Sequence, residues 1–160
     1  MHIYLFSGTH WDREWYQSFQ GFRYRLVAML DDLVEFFETE DHESVFHLDG
    51  QTIVLEDYAE INPEGYERLK KLIAQRRVLI GPWYCMPDEF LVSGEALIRN
   101  LLRGHAICAG LEAAPWKCGY ICDIFGHNAQ MPQLLRGFGM DSAVVGRGTN
   151  AHTTDRKSVV

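Results

Sequence analysis

His10 and Asp12 stand two residues apart in the run Ser-Gly-Thr-His-Trp-Asp-Arg-Glu-Trp, residues 7–15. In extended backbone, residues i and i+2 point to the same side. An imidazole nitrogen and a carboxylate oxygen held that way can grip one divalent ion, and zinc accepts both donor types. The indoles of Trp11 and Trp15 flank the pair and offer flat, partly apolar faces for a ligand such as a sugar ring. A strand end carrying a solvated His and Asp would read the same way. The pair alone leaves both readings open.

Two later segments carry similar chemistry. Residues 122–135 read C-D-I-F-G-H-N-A-Q-M-P-Q-L-L. Asp123 ends an apolar run, so it can be a third metal ligand, or a nucleophile if an electrophilic carbon is placed beside it. Gly126 permits a sharp turn, and Pro132 suits the first turn of a helix. His127 is either a further ligand or a turn histidine bonded to backbone, and the second is favoured. Residues 80–95 hold Gly81, Pro82, Trp83, Tyr84, Asp88, Glu89 and Phe90, too aromatic for a plain linker and suited to a ligand-facing loop. Ser93 reads as a helix N-cap. Arg147 can pair with a carboxylate in the same cavity.

The elements that must position these residues alternate in type. Short apolar runs at 3–7, 45–48, 78–80, 118–122 and 143–145 read as strands. Helical spacing marks 21–39, 52–61, 63–75, 94–110 and a short stretch near 129–137; in the first, Phe22, Leu26, Met29, Leu30, Leu33 and Phe37 recur every three or four residues. Such order implies parallel strands with right-handed crossovers, an α/β sheet or barrel. Reactive residues in such folds collect at the carboxyl ends of strands. The segments 9–15, 49–52, 81–90, 123–131 and 146–150 are therefore expected to face one cavity. Five strands do not close a barrel, and residues 151–160 lack apolar periodicity. Residues 1–150 are expected to be the folded part, and 151–160 a non-native or disordered tail; 155–160 resemble the peptide a common sequencing adapter encodes.

Composition narrows the classes. The chain has 160 residues, 47% hydrophobic and 23% charged, with a formal net charge of −7. That balance argues against nucleic acid or an anionic membrane surface as partner. No apolar run approaches the ~20 residues of a membrane span, and no secretory leader is evident, so a cytoplasmic location is expected. The four cysteines, Cys85, Cys108, Cys118 and Cys122, read as free thiols rather than a disulfide framework. A zinc site from Cys118, Cys122 and His127 is disfavoured by its spacing and by the lack of a fourth ligand.

Together, H-W-D-R-E-W, H-L-D-G-Q-T, G-P-W-Y-C-M-P-D-E-F and D-I-F-G-H-N occur in one order between residues 3 and 147. Taken as a set they resemble glycoside hydrolase family 38, the metal-binding α-mannosidases, with the wording closest to bacterial members, including those acting on mannosylglycerate. The resemblance implies a parallel, seven-stranded-type β/α barrel, incomplete in this chain. It implies His10, Asp12 and Asp123 as ligands of a divalent metal, zinc being the expected ion, with Asp123 also the nucleophile that forms a mannosyl-enzyme intermediate. It places Trp15 and Phe125 against the sugar, with Asp88 a weaker candidate for the same site; Trp83 and Arg147 complete the candidate substrate contacts. The implied substrate is an α-mannoside or mannose-containing oligosaccharide, cleaved with retention, and homo-oligomers of a full-length protein remain open.

The family's further histidine ligand and general acid have no match here. The chain is therefore expected to be an N-terminal fragment that binds metal weakly and turns over little or not at all. Two other readings remain, a metal-dependent carbohydrate deacetylase using a metal-bound water and a non-catalytic sugar-binding module built on Trp11, Trp15 and Trp83. A nucleotide-binding Rossmann domain is disfavoured because no G-x-G-x-x-G follows the first strand.

Overall fold

A computed structural model describes residues 6–39 and 44–149. The tail beyond residue 149, and residues 1–5 of the expected first strand, lie outside the described residues. The order is β1 (Ser7–Thr9), α1 (Phe19–Thr39), β2 (Phe46–Leu48), α2 (Ile53–Ile61), α3 (Pro63–Ala74), β3 (Val78–Leu79), α4 (Gly94–Gly110), β4 (Gly119–Ile121), α5 (Met131–Gly137) and β5 (Ala143–Val145).

All five described strands pair in parallel, as strand–helix–strand order requires. β1, β2 and β3 form one sheet in that order, with Gly8 opposite His47 and His47 opposite Leu79. β4 and β5 form a second pair, with Tyr120 opposite Val144. Between the two, single bonds replace a ladder: the Trp116 amide donates to the Ile80 carbonyl at 2.9 Å, and Trp83 Nε1 donates to the Tyr120 carbonyl at 3.1 Å. The parallel α/β expectation stands; a closed barrel is not present in the described residues.

Two boundaries differ from the pattern reading. β1 runs to Thr9 rather than ending at residue 7, because β2 continues to Leu48 and keeps its partner paired. His10 is thus the first residue after the ladder. Helix α2 begins at Ile53, since the Thr52 hydroxyl donates to the Trp83 carbonyl at 3.0 Å instead of capping.

The apolar stripe of α1 (Leu26, Leu30, Leu33, Val34, Phe37) packs with Leu48, Val54, Tyr58, Leu69, Ile73 and Val78 into one core, while Phe22 meets Trp11 and Tyr16 edge-on. Trp83, Leu97, Leu101, Ile121, Ile124 and Met131 form a second core under β4. Gly104 explains how α4 reaches it. A Cβ there would stand 2.2 Å from the Pro82 carbonyl oxygen, so only glycine lets the helix lie against that backbone. Among the described residues no helix is long and apolar enough to cross a membrane.

Candidate functional site

Each of three strand ends delivers one polar side chain to the same place. His10 follows β1, Asp49 follows β2 and Asp123 lies two residues past β4. His10 Nε2 lies 2.9 Å from Asp123 Oδ2 and 3.7 Å from Asp12 Oδ1. Its other nitrogen, Nδ1, lies 3.1 Å from Asp49 Oδ1. Donor atoms of His10, Asp12 and Asp123 all fall within 4.8 Å of one another. Two N or O donors of a tetrahedral zinc ion stand roughly 3.3 Å apart, and the two His10 distances bracket that figure.

Asp49 is the residue that orients the His10 ring. Its φ of 49° lies in the left-handed region, which asparagine and aspartate tolerate better than bulkier residues. Its buried carboxylate accepts bonds at Oδ2 from the Trp11 amide and from Gln51 Nε2, both at 2.7 Å. Both oxygens lie beside His10 Nδ1, Oδ2 at 3.0 Å and Oδ1 at 3.1 Å. With a proton kept on Nδ1, the lone pair of a neutral ring sits on Nε2, toward Asp12 and Asp123. Imidazole, two carboxylates and a buried carboxylate behind the ring form a donor set that fits zinc. Without an ion, hydrogen bonding to Asp49, then to Cys122, raises the His10 pKa from 6.5 to about 11 against the opposing effect of burial, so the ring carries both protons and a bound ion would displace the one on Nε2.

Asp123 has a second partner, the Arg147 guanidinium, which also lies over the Phe125 ring at 4.3 Å. Behind this pair stands Glu89, whose side chain is wholly buried. It meets His127 Nδ1 at 2.8 Å and accepts from the Asn128 amide at 2.7 Å. His127 Nε2 reaches the Arg147 carbonyl at 2.8 Å. The loops after β3, β4 and β5 are thereby tied together. The loop after β1 is fixed separately: Arg13 grips Asp57 of α2 with two bonds of 3.0 Å.

The expected segments do converge, though not every named side chain faces the same space. His10, Asp12 and Trp15 share an open hollow of about 410 Å³ with Tyr16, Phe22 and Arg25. Trp15 and Phe125 are 75% and 70% exposed, free to meet a ligand. Trp83 is not. It is 0% exposed, with its indole in the second core, which removes it as a stacking platform. Asp88 is half-buried, and its neighbour Glu89 is the carboxylate tied to the loop after β4. His127 meets a carboxylate as well as backbone, so the plain turn reading covers half of its role. Cys122 is half-buried beside His10, away from any pairing with His127. Segment 49–52 and the carboxylate of Glu89 were marked in the sequence, but not that Asp49 backs the His10 ring or that Glu89 joins the loops after β3 and β4.

Comparisons with known proteins place the chain in a family. The model described as glycosyl hydrolases family 38 N-terminal domain matches residues 1–158. A protein of Halalkalibacterium halodurans named as a mannosylglycerate hydrolase is 47% identical over 145 residues, covering 91% of this chain and 16% of that protein. The crystal structure of an α-mannosidase from Enterococcus faecalis V583 superposes with a TM-score of 0.87 at 39% identity, over 91% of this chain and 16% of that one. A second Enterococcus faecalis structure, of a glycosyl hydrolase family 38 protein, gives a TM-score of 0.78 at 35% identity, over 88% of this chain and 16% of that one. The chain thus spans about a sixth of the length of these relatives.

Proposed function

The chain belongs to glycosyl hydrolases family 38, and from that membership we propose that it is the N-terminal part of a metal-dependent, retaining α-mannosidase. The observation that carries the reading is the placement of His10 Nε2 against two carboxylates, Asp12 and Asp123, with buried Asp49 behind the ring. His10, Asp12 and Asp123 would hold a divalent ion, zinc by the donor chemistry, which when bound would polarise sugar hydroxyls and fix the ring.

Asp123 is the nucleophile in this reading. Its carboxylate attacks the anomeric carbon, the glycosidic C–O bond breaks, and the leaving oxygen takes a proton from a second carboxyl group. Water then opens the mannosyl ester while that second group, now a base, accepts a proton, so the product keeps its configuration. Arg147 aims the Asp123 carboxylate through their ion pair. Trp15 and Phe125, exposed beside the carboxylates, stack on the apolar face of the sugar. We assign the second carboxyl group to the part of such relatives that this chain does not span, so the chain alone shows little or no turnover.

The test uses the full-length protein and an aryl α-mannoside. Cleavage with retention that is abolished by chelator and by Asp123→Asn supports the reading. Release of acetate from an N-acetylated sugar, with no mannoside cleavage, would move the site to the deacetylase class.

A further inference from the structure

We propose that the Nδ1 edge of His10, together with Asp49 and Cys122, forms a second metal site that takes a thiophilic divalent ion. The three donors come from the ends of three strands, His10 after β1, Asp49 after β2 and Cys122 after β4. His10 Nδ1 to Asp49 Oδ1 is 3.1 Å, Cys122 Sγ to His10 Nδ1 is 3.5 Å, and Cys122 Sγ to Asp49 Oδ1 is 3.7 Å. Tetrahedral zinc with ordinary bond lengths would set an N–O edge of about 3.3 Å and S–N and S–O edges of about 3.6 Å. The triangle already stands within a few tenths of an ångström of that shape.

Asp49 is prepared for the role. Its Oδ2 is held by the Trp11 amide and Gln51 Nε2, so the carboxylate cannot turn away. Both oxygens stand beside Nδ1, at 3.0 and 3.1 Å, and Oδ1 is the one that also meets Cys122 Sγ. Sulfur separates this set from the one on the other edge of the ring. His10, Asp12 and Asp123 offer only nitrogen and oxygen, whereas a thiolate favours softer ions such as cadmium. Binding would release the Cys122 thiol proton and the Nδ1 proton to solvent. A neutral imidazole has one lone pair, so ions on the two edges compete for one ring. A thiophilic ion at Nδ1 would also turn His10 away from Asp12 and Asp123. The site goes beyond the mannosidase reading and does not depend on it.

Titrating the reduced 160-residue chain with cobalt(II) tests the proposal. The expected result is a thiolate-to-cobalt charge-transfer band in the near ultraviolet. Cys122→Ser abolishes that band, Asp49→Asn weakens the binding it reports by about tenfold or more, and Asp12→Asn leaves it in place. Cobalt held only by His10, Asp12 and Asp123 gives no such band. A second measurement needs no substitution. Saturating cadmium is expected to slow alkylation of Cys122 by about tenfold, read by peptide mass, while half-buried Cys85 reacts as before. No band, a band that survives Cys122→Ser, or Cys122 alkylation indifferent to cadmium overturns the site. None of these readouts involves mannoside turnover, so failure here and failure of the hydrolase reading are told apart.

Discussion

His10 Nδ1 rests 3.1 Å from Oδ1 of Asp49, a carboxylate whose side chain is 1% exposed. A buried acceptor behind a ligand ring fixes its tautomer and its aim, and losing such a partner typically costs about 10–100-fold in metal affinity. Asp49→Asn should therefore weaken zinc binding by that order while leaving the three nearer donors untouched. Competition against a chromophoric chelator measures it. Unchanged affinity would mean that His10 is aimed by something else.

The Arg13–Asp57 pair makes a related prediction about the loop that carries Asp12. Arg13 is about one-third exposed and Asp57 is nearly buried, so the fork is sheltered on one side only. Asp57→Asn should cost about 1 kcal/mol of stability in urea unfolding. It should also lower zinc affinity, since residues 10–13 lose their tether to α2. A stability loss with zinc affinity intact would confine the pair to a structural role.

Glu89 is the most deeply enclosed carboxylate of the site, with His127 and Asn128 as its partners. Glu89→Leu removes both acceptor oxygens at similar volume, leaving the buried groups of Asn128 and His127 unpaired. A destabilisation of about 2–3 kcal/mol is expected, read by urea unfolding. A loss below about 0.5 kcal/mol would show that the three loops are held by other contacts.

Acid should weaken the fold partly through α4. His105 is half-buried against the Phe138 ring, and its Nε2 is buried with no hydrogen-bond partner among the described residues. Burial lowers its pKa from 6.5. The folded state thus resists the proton that the unfolded chain accepts. This contribution is whole above about pH 6.5 and is lost as the pH falls below it. His105→Phe removes the titration while keeping the ring. Comparing unfolding at pH 7 and pH 5, the variant should lose less stability than the parent; equal losses contradict the assignment.

The close approach of α4 is testable at Gly104. Its absent Cβ would stand 2.2 Å from the Pro82 carbonyl oxygen and 2.5 Å from the Trp83 carbonyl carbon, both backbone atoms that cannot swing aside. Gly104→Ala should cost at least about 2 kcal/mol, despite the better helix propensity of alanine. A neutral or stabilising result by thermal unfolding would mean that α4 does not lie against residues 82–83.

That His10, Asp12 and Asp123 would come together was legible in the sequence because each follows an apolar run that reads as a strand, and parallel topology sends such positions to one end of the sheet. The helices were legible to within about two residues at their ends, α1 from its regular apolar stripe and α3 from Pro63 at its start. Asp49 lay in the segment expected to face the cavity, but its place behind the His10 ring follows only from the pairing of β1 with β2. Trp83 was misjudged for a related reason. Aromatics in a loop suggest a ligand platform, but α4, admitted by Gly104, closes over this one and Tyr120 satisfies its N–H. Both concern long-range contacts, which local pattern does not encode.

Asp123, aligned by Arg147 and facing His10, is the proposed nucleophile of a retaining mannosidase. Its most direct test is to incubate the full-length protein with a fluorinated α-mannoside whose glycosyl ester hydrolyses slowly, then to map the adduct by peptide mass. The account predicts one fluoromannosyl group on the peptide carrying Asp123, absent from Asp123→Asn. An adduct on a different carboxylate, or mannoside turnover with Asp123 never labelled, would contradict it.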